Sequence, residues 1–315
     1  GIYENGLKAL EKWGLKIKEY PTARADAVFL RDNPRVRAKD INDAFLDSEV
    51  KAIFASIGGD DSVRILPYLN KEIISKNPKI LMGYSDTTSL HVFCNQLGLT
   101  TFYGPSIMAG FSQMENLPQS FELHIKEILF SNNLTYEYSH YDKYSDGYPD
   151  WKNKNNLGKV NILKKNTGWK WIQGDGVVQG ELFGGCLEVL EMMKATDFWP
   201  NKDFWKGKIL FLETSEEKPS LHQIDHALRN YGMQGVFSEI SGLIFARARD
   251  FTDSEKLDLE KVIVSIVSKE FSQKIPIITN VDFGHTDPQI ILPLGVKAEI
   301  DCKNKKIKLI EPWLI

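Results

Sequence analysis

The sequence predicts an α/β fold in which helices connect the strands of a parallel sheet. Two nearly continuous apolar runs, at residues 52–57 and 80–84, are typical of parallel strands buried on both faces. A segment of helical periodicity follows the second run at residues 87–97. This alternation of strand and helix favours a parallel sheet with crossover connections.

The first half of the chain begins with an amphipathic helix that Gly14 interrupts, and residues 15–20 then alternate like a strand. The later elements predicted in this half are a helix start at 40–45, a strand at 100–103 and a helix at 121–130.

Residues 131–175 are rich in Asn, Lys, Tyr, Asp and Trp and show weak periodicity. Because loops of this length are usually functional or linking, we expect two domains, 1–160 and 161–315. In the second half the pattern predicts strands at 177–185, 208–213, 242–247 and 275–280, helices at 186–193, 221–231 and 254–271, and a terminal hairpin at 297–300 and 306–310.

Composition excludes several classes of protein. The formal net charge of -3 gives no electrostatic attraction for nucleic acid or an anionic membrane. No apolar run approaches the length of a membrane span. The three cysteines lie far apart and form neither a disulfide framework nor a zinc motif. We therefore expect a cytoplasmic protein.

Ser85 stands where the strand at 80–84 meets the helix at 87–97. A serine on a sharp strand-to-helix turn presents its hydroxyl as a nucleophile. The alternative is an ordinary helix N-cap, since serine is preferred there.

Glu213 and His285 also follow predicted strands. In open α/β sheets ligands bind outside the carboxyl ends of the strands, so these side chains and Ser85 form a nucleophile, base and orienting acid. His285 is the candidate base, because imidazole titrates near neutral pH. The alternatives are a salt bridge or cap at Glu213 and an ordinary loop histidine at residue 285.

A glycine pair follows the strand at 52–57. The amides of Gly59 and Asp86 are candidates for an oxyanion hole, because backbone N–H groups stabilise the charge that acyl transfer places on the carbonyl oxygen. Gly58 and Asp60, on either side of Gly59, are candidate substrate contacts. The alternative for the glycine pair is a tight turn.

Five further residues are candidates for substrate binding. Gly185 precedes a helix, whose N-terminus can hold an anion, although close packing explains a glycine equally well. Trp169 and Trp171 can stack on a ligand or pack at an interface. Lys218 and Arg247 can bind a carboxylate or lie on the solvated surface.

Several motifs together resemble the LD-carboxypeptidase family and, within it, the MccF-like serine peptidases of microcin C immunity. The motifs are Ser-Ile-Gly-Gly-Asp-Asp-Ser at 56–62, Gly-Tyr-Ser-Asp-Thr-Thr at 83–88, Tyr-Gly-Pro at 103–105, Gly-Glu-Leu-Phe-Gly-Gly at 180–185, Leu-Phe-Leu-Glu at 210–213 and Gly-His at 284–285.

The resemblance implies a triad of Ser85, Glu213 and His285 and an oxyanion hole from the Gly59 and Asp86 amides. It implies a flavodoxin-like or glutamine-amidotransferase-like N-terminal domain and a β-rich swivelling C-terminal α/β domain, with the site between them. It also implies a homodimer without metal or cofactor.

Two features depart from the family pattern. The family usually begins with a buried strand, whereas this chain opens on a helix. Cys186 stands where many relatives carry Asn.

These features predict a serine peptidase that hydrolyses the amide bond of peptidyl- or aminoacyl-nucleotides. An alternative is an LD-carboxypeptidase that removes a terminal D-amino acid from murein peptides. An α/β-hydrolase esterase is disfavoured, because Thr87 stands where that motif needs glycine. An alternative of another class is a noncatalytic nucleotide- or peptide-binding module.

Overall fold

The computed structural model describes residues 1–314 and contains two main sheets and a two-stranded ribbon. The strands are β1 (Ala52–Phe54), β2 (Ile80–Gly83), β3 (Thr101–Tyr103), β4 (Tyr136–Glu137), β5 (Lys143–Tyr144), β6 (Lys164–Lys165), β7 (Lys170–Gln173), β8 (Val177–Cys186), β9 (Ile209–Glu213), β10 (Gly242–Ala246), β11 (Ile277–Val281), β12 (Leu292–Leu294), β13 (Lys297–Asp301) and β14 (Lys306–Leu309).

Helices pack around both sheets. They are α1 (Ile2–Glu11), α2 (Ala27–Asp32), α3 (Pro34–Leu46), α4 (Lys71–Lys76), α5 (Thr88–Gln96), α6 (Gln119–Phe130), α7 (Leu187–Met193), α8 (Leu221–Met233), α9 (Val236–Glu239) and α10 (Asp253–Val264), which continues as a π-helical segment, Ser265–Glu270.

The smaller sheet has the order β1-β2-β3-β12, and its first three strands are parallel. The larger sheet has the order β4-β14-β13-β8-β9-β10-β11-β7. Its four central strands, β8 to β11, are parallel, and antiparallel strands flank them on both sides. The predicted mixed α/β fold, with a parallel N-terminal sheet and a β-rich C-terminal one, is confirmed.

Four details differ from the sequence prediction. The helix predicted to start at 40–45 begins at Pro34. Residues 15–20 form no strand. β1 is only partly buried, because it lies at the edge of its sheet and not in the middle. The helix predicted to end at Gly232 continues through it to Met233. The terminal hairpin of β13 and β14 is confirmed.

Across residues 1–314 no helix is long and apolar enough to cross a membrane. The same part of the chain holds no group of three or more His, Cys, Asp or Glu side chains able to bind a metal ion. All three cysteines are buried and unpaired as thiols.

Candidate active site

Ser85 lies on a sharp turn between β2 and α5. Its φ of 59° is in the left-handed region, which non-glycine residues adopt rarely and at a cost in energy. The turn is tight because Gly83 lacks a side chain: a methyl group there would lie 2.7 Å from Thr87 Oγ1 and 2.8 Å from the Ala55 methyl. The strained turn directs the Ser85 hydroxyl toward the second half of the chain.

His285 contacts both Ser85 and Glu213. Its Nε2 lies 3.1 Å from Ser85 Oγ, and its Nδ1 lies 2.7 Å from Glu213 Oε2. Glu213 is the last residue of β9, and His285 lies in the loop after β11. Gly284 lets this loop approach the acid, since a methyl group there would lie 2.5 Å from Glu213 Oε2. The three residues thus form a continuous chain of hydrogen bonds.

Tyr103, at the end of β3, connects Glu213 to Ser85 by a second route. Its hydroxyl donates to Glu213 Oε1 at 2.5 Å and accepts from the Ser85 amide at 3.0 Å. Both carboxylate oxygens of Glu213 are therefore hydrogen-bonded, which fixes the carboxylate plane and hence the orientation of His285.

The charges in this buried cluster are strongly coupled. Burial alone would lower the pKa of His285, but the carboxylates of Glu213 and Glu216 outweigh it and raise that pKa to about 10. Burial also raises the pKa of Glu213, against the hydrogen bonds from His285 and Tyr103. The site thus favours a protonated imidazole between carboxylates.

Glu216 contributes the second carboxylate at His285. Its Oε2 lies 2.6 Å from Nε2, the atom that also faces Ser85 Oγ. The hydrogen bond to His285 lowers the pKa of Glu216 to about 2. On another side the ring of Tyr84 packs edge-on against the imidazole, with 5.0 Å between ring centroids. His285 is thereby enclosed by charge and aromatic surface.

The glycine pair lies directly beside Ser85. A methyl group at Gly58 would lie 3.0 Å from Ser85 Cβ and 3.1 Å from its Oγ. Within residues 1–314 the amides of Gly59 and Asp86 donate to no protein acceptor, so both remain available to an oxyanion. This close approach to Ser85 explains why residue 58 is glycine.

The Asp86 side chain holds the glycine-containing loop in place. Its Oδ2 accepts from the amides of Asp61 and Ser62 at 3.2 and 2.9 Å. The Ser62 hydroxyl in turn donates to the Asp86 carbonyl at 2.6 Å. Burial raises the pKa of Asp86. These bonds fix the loop after β1 relative to the Ser85 turn.

Three other sequence candidates lie outside this cluster. Asp60 is exposed. Gly185 faces α5, since a methyl group there would lie 2.6 Å from Thr88 Oγ1, so close packing accounts for it. Lys218 pairs with Glu255 at 2.9 Å.

Arg247 and the two tryptophans belong to a different environment. Arg247 is buried, and its guanidinium donates to Asp282 Oδ1 at 2.6 Å. It is therefore not on the solvated surface, and this pairing occupies it inside the fold. Trp169 donates to the other oxygen of Asp282 at 2.8 Å. Trp171 lies in β7, at the end of the larger sheet, opposite Ile278.

Sequence reasoning missed Tyr103, which contacts Ser85 and Glu213, and Glu216, which contacts His285. Tyr103 is the last residue of a strand. Ser85 and Glu213 were selected because they lie at strand ends, and Tyr103 could have been selected for the same reason. Glu216 lies in the loop after β9, where no local pattern distinguishes it from its neighbour Glu217. Only the three-dimensional position of its carboxylate reveals the contact.

Comparisons with known proteins agree with this geometry. A profile of the LD-carboxypeptidase N-terminal domain matches residues 2–104, and one of the C-terminal domain matches residues 179–300. The microcin C7 self-immunity protein MccF of Escherichia coli is 30% identical over 98% of this chain and 88% of its own length. The chain belongs to the LD-carboxypeptidase family. It is a serine-type peptidase of the MccF-like kind.

A second relative and a solved structure of MccF extend the comparison. A probable murein peptide carboxypeptidase of Bacillus subtilis is 27% identical over 96% of this chain and 85% of its own length. A solved structure of MccF in complex with aspartyl sulfamoyl adenosine superposes with a TM-score of 0.88 at 28% identity, covering 100% of this chain and 92% of that one. The two-domain fold is therefore that of MccF.

Proposed function

We propose that this peptidase hydrolyses the amide bond of peptidyl- or aminoacyl-nucleotides, as a self-immunity or detoxifying enzyme of the microcin C type. The observation that carries the proposal is the hydrogen-bonded chain from Ser85 through His285 to Glu213. The proposal that the substrate contains a nucleotide rests on the similarity to MccF and on the complex of MccF with aspartyl sulfamoyl adenosine.

In this mechanism Ser85 Oγ attacks the scissile carbonyl carbon while His285 Nε2 accepts the hydroxyl proton. Glu213 holds the Nδ1 proton and stabilises the imidazolium. The Gly59 and Asp86 amides stabilise the oxyanion of the tetrahedral intermediate. His285 then protonates the leaving nitrogen, and a water molecule, activated by the same imidazole, releases the acyl group from Ser85.

The likeness to a murein peptide carboxypeptidase favours a second candidate, removal of a terminal D-amino acid from murein peptides. The same Ser85 chemistry serves both reactions, so the substrate decides between them. Of the other predicted contacts, Gly58 lies nearest the nucleophile and is the substrate contact that the geometry supports best.

We further propose two domains, residues 1–160 with the nucleophile and residues 161–315 with the acid and the base. The profile boundaries at residues 104 and 179 are compatible with that division. We propose a homodimer in the cytoplasm, where three unpaired buried thiols are stable. Light scattering on the purified protein tests the dimer.

Separate incubation with a murein tetrapeptide and with aspartyl sulfamoyl adenosine, followed by mass spectrometry of the products, tests the substrate. We expect cleavage of the nucleotide analogue between its aspartyl carbonyl and the sulfamoyl nitrogen. Cleavage of the tetrapeptide alone would support the murein reaction and contradict the immunity role. Ser85→Ala is the control that excludes a contaminating hydrolase.

A further inference from the structure

Glu216 has no role in the mechanism described above, yet it makes a closer contact with the base than the nucleophile does. Its Oε2 lies 2.6 Å from His285 Nε2, compared with 3.1 Å for Ser85 Oγ. Nε2 carries either one proton or one lone pair. A carboxylate at this distance favours the proton, and a protonated Nε2 cannot accept the proton of Ser85.

The position of Glu216 is fixed by the loop that carries it. On one side, the amide and hydroxyl of Ser215 donate to Glu188 Oε1 at 3.0 and 2.7 Å. On the other side, the ammonium of Lys218 pairs with Glu255 at 2.9 Å. Glu216 is thus held between two anchored residues, so its contact with His285 follows from the fold of the loop.

The Glu216 side chain is nevertheless 52% exposed, while that of His285 is 3% exposed. One face of the carboxylate is therefore accessible from the open side of the site. The surroundings are acidic, because Glu213 and Asp287 both lie near His285. Arg249, whose charge also acts on Glu216, bonds to its neighbour Asp250 at 3.2 Å. A cationic group on a ligand would thus be attracted to this position.

We propose that Glu216 selects substrates with a free ammonium group beside the scissile carbonyl, because that group replaces His285 as the partner of the carboxylate and frees Nε2 for Ser85. The proposal rests on the proposed function of Ser85 and His285. Aminoacyl-nucleotides fit it, since their α-ammonium is carried by the carbon next to the scissile carbonyl. Glu216 is in this account a specificity-determining residue that also keeps the free enzyme unreactive.

A matched pair of serine-directed reagents tests the proposal without depending on the natural substrate. The diphenyl ester of 1-aminoethylphosphonate carries the free ammonium, and its N-acetyl derivative lacks it. In both, Ser85 Oγ forms a bond to phosphorus, His285 accepts the hydroxyl proton, and one phenoxide leaves and is protonated to phenol. Mass spectrometry of the intact protein and of the Ser85 peptide gives the rate constant of labelling.

We expect wild-type protein to react with the free-amine reagent about tenfold to a hundredfold faster than with the acetylated one, the range of one charge-assisted hydrogen bond. In Glu216→Gln the ratio should fall to about twofold or less, and the acetylated reagent should react faster than with wild type. Glu217→Gln makes the same change of charge at the next residue, which is exposed, and should keep the wild-type ratio.

An unchanged ratio in Glu216→Gln, with Ser85 still labelled, would overturn the role of Glu216 and leave the proposed nucleophile intact. Failure of both reagents to label Ser85 in every variant would overturn the nucleophile itself and the selection by Glu216 with it.

Discussion

The phenol oxygen of Tyr103 lies 2.5 Å from Glu213 Oε1 and joins the ends of strands from two different sheets. The same oxygen accepts the Ser85 amide proton at 3.0 Å. Burial, together with the charge of Glu213, raises the pKa of Tyr103, so the hydroxyl keeps its proton and acts as the donor to the acid. This one hydroxyl group therefore helps to fix Glu213 relative to Ser85, beside the direct connection through His285.

Tyr103→Phe removes that hydroxyl and leaves a buried amide and a buried carboxylate oxygen without a partner. We expect a loss of about 1–3 kcal/mol in the free energy of unfolding. We also expect kcat to fall by about tenfold to a hundredfold, because Glu213 and Ser85 are no longer held at the correct distance and orientation. Urea denaturation and steady-state kinetics measure the two effects.

Tyr231→Phe is the matched control. Tyr231 is equally buried, but its hydroxyl has no hydrogen-bond partner within residues 1–314. Its removal should leave both stability and kcat unchanged or slightly improve stability. If Tyr103→Phe and Tyr231→Phe change the free energy of unfolding and kcat equally, the hydrogen bonds of Tyr103 contribute to neither stability nor turnover.

Gly284→Ala should damage the site through a single methyl group. Gly284 has a φ of +82°, and its new methyl would lie 2.5 Å from Glu213 Oε2. Gly98→Ala is the control, because Gly98 has a φ of +80° and open space around it. Both should lose about 1–2 kcal/mol of stability from backbone strain. Only Gly284→Ala should also have a lower kcat. Normal turnover in that variant would contradict the close contact between residue 284 and the Glu213 carboxylate.

The pH dependence of kcat/KM should report the carboxylates around His285. His285 must be neutral to accept the Ser85 proton, and its pKa is raised to about 10, so kcat/KM of the free enzyme should rise with pH through the neutral range. Glu213, Glu216 and Asp287 are the acids that face the imidazole, and Tyr84 packs on its ring. Glu216→Gln should move this rise to lower pH.

The same raised pKa predicts the pH dependence of stability. A histidine whose pKa rises on folding stabilises the fold fully below its ordinary value of 6.5, and this contribution is lost as the pH rises through about 10. Glu216→Gln should therefore lower the free energy of unfolding near neutral pH and have less effect in alkali. If the free energies of unfolding of Glu216→Gln and wild type differ by the same amount at every pH in this range, the ion pair between His285 and Glu216 is absent in solution.

Arg247→Met should act on the fold and not on substrate affinity. The side chains of Arg247 and Asp282 are both fully buried, and the substitution leaves the carboxylate unpaired. We expect a loss of about 3–5 kcal/mol. Arg31→Met breaks an exposed ion pair with Asp32 and should cost about 1 kcal/mol or less. A raised KM at unchanged stability would instead support the substrate-binding role predicted for Arg247.

Much of the fold could be predicted from local patterns. The strands that become β2, β9, β10 and β11 are short apolar runs, and burial on both faces requires that composition. The exposed edge position of β1 could not be predicted, because its apolar run looks the same whether one or two strands flank it. The two-residue strand β4 could not be found either, since it pairs with β14 far along the chain.

For the site, the sequence correctly predicted that Ser85, Glu213 and the loop of His285 lie close together. This prediction was possible because all three follow strands, and the carboxyl ends of parallel strands meet at one edge of a sheet. It did not reveal that Arg247, also after a strand, turns into a buried ion pair with Asp282. The direction of a side chain after a strand depends on partners that are distant in sequence. The contact of Glu216 with His285 depends on such a distant partner as well.

The most direct test of the account is hydrolysis by Ser85→Ala, measured together with ligand binding by calorimetry. Ser48→Ala, at an exposed position, is the control. If Ser85 is the nucleophile, kcat should fall by about 10⁶-fold, while aspartyl sulfamoyl adenosine still binds with nearly wild-type affinity. Full activity in Ser85→Ala would contradict the central claim.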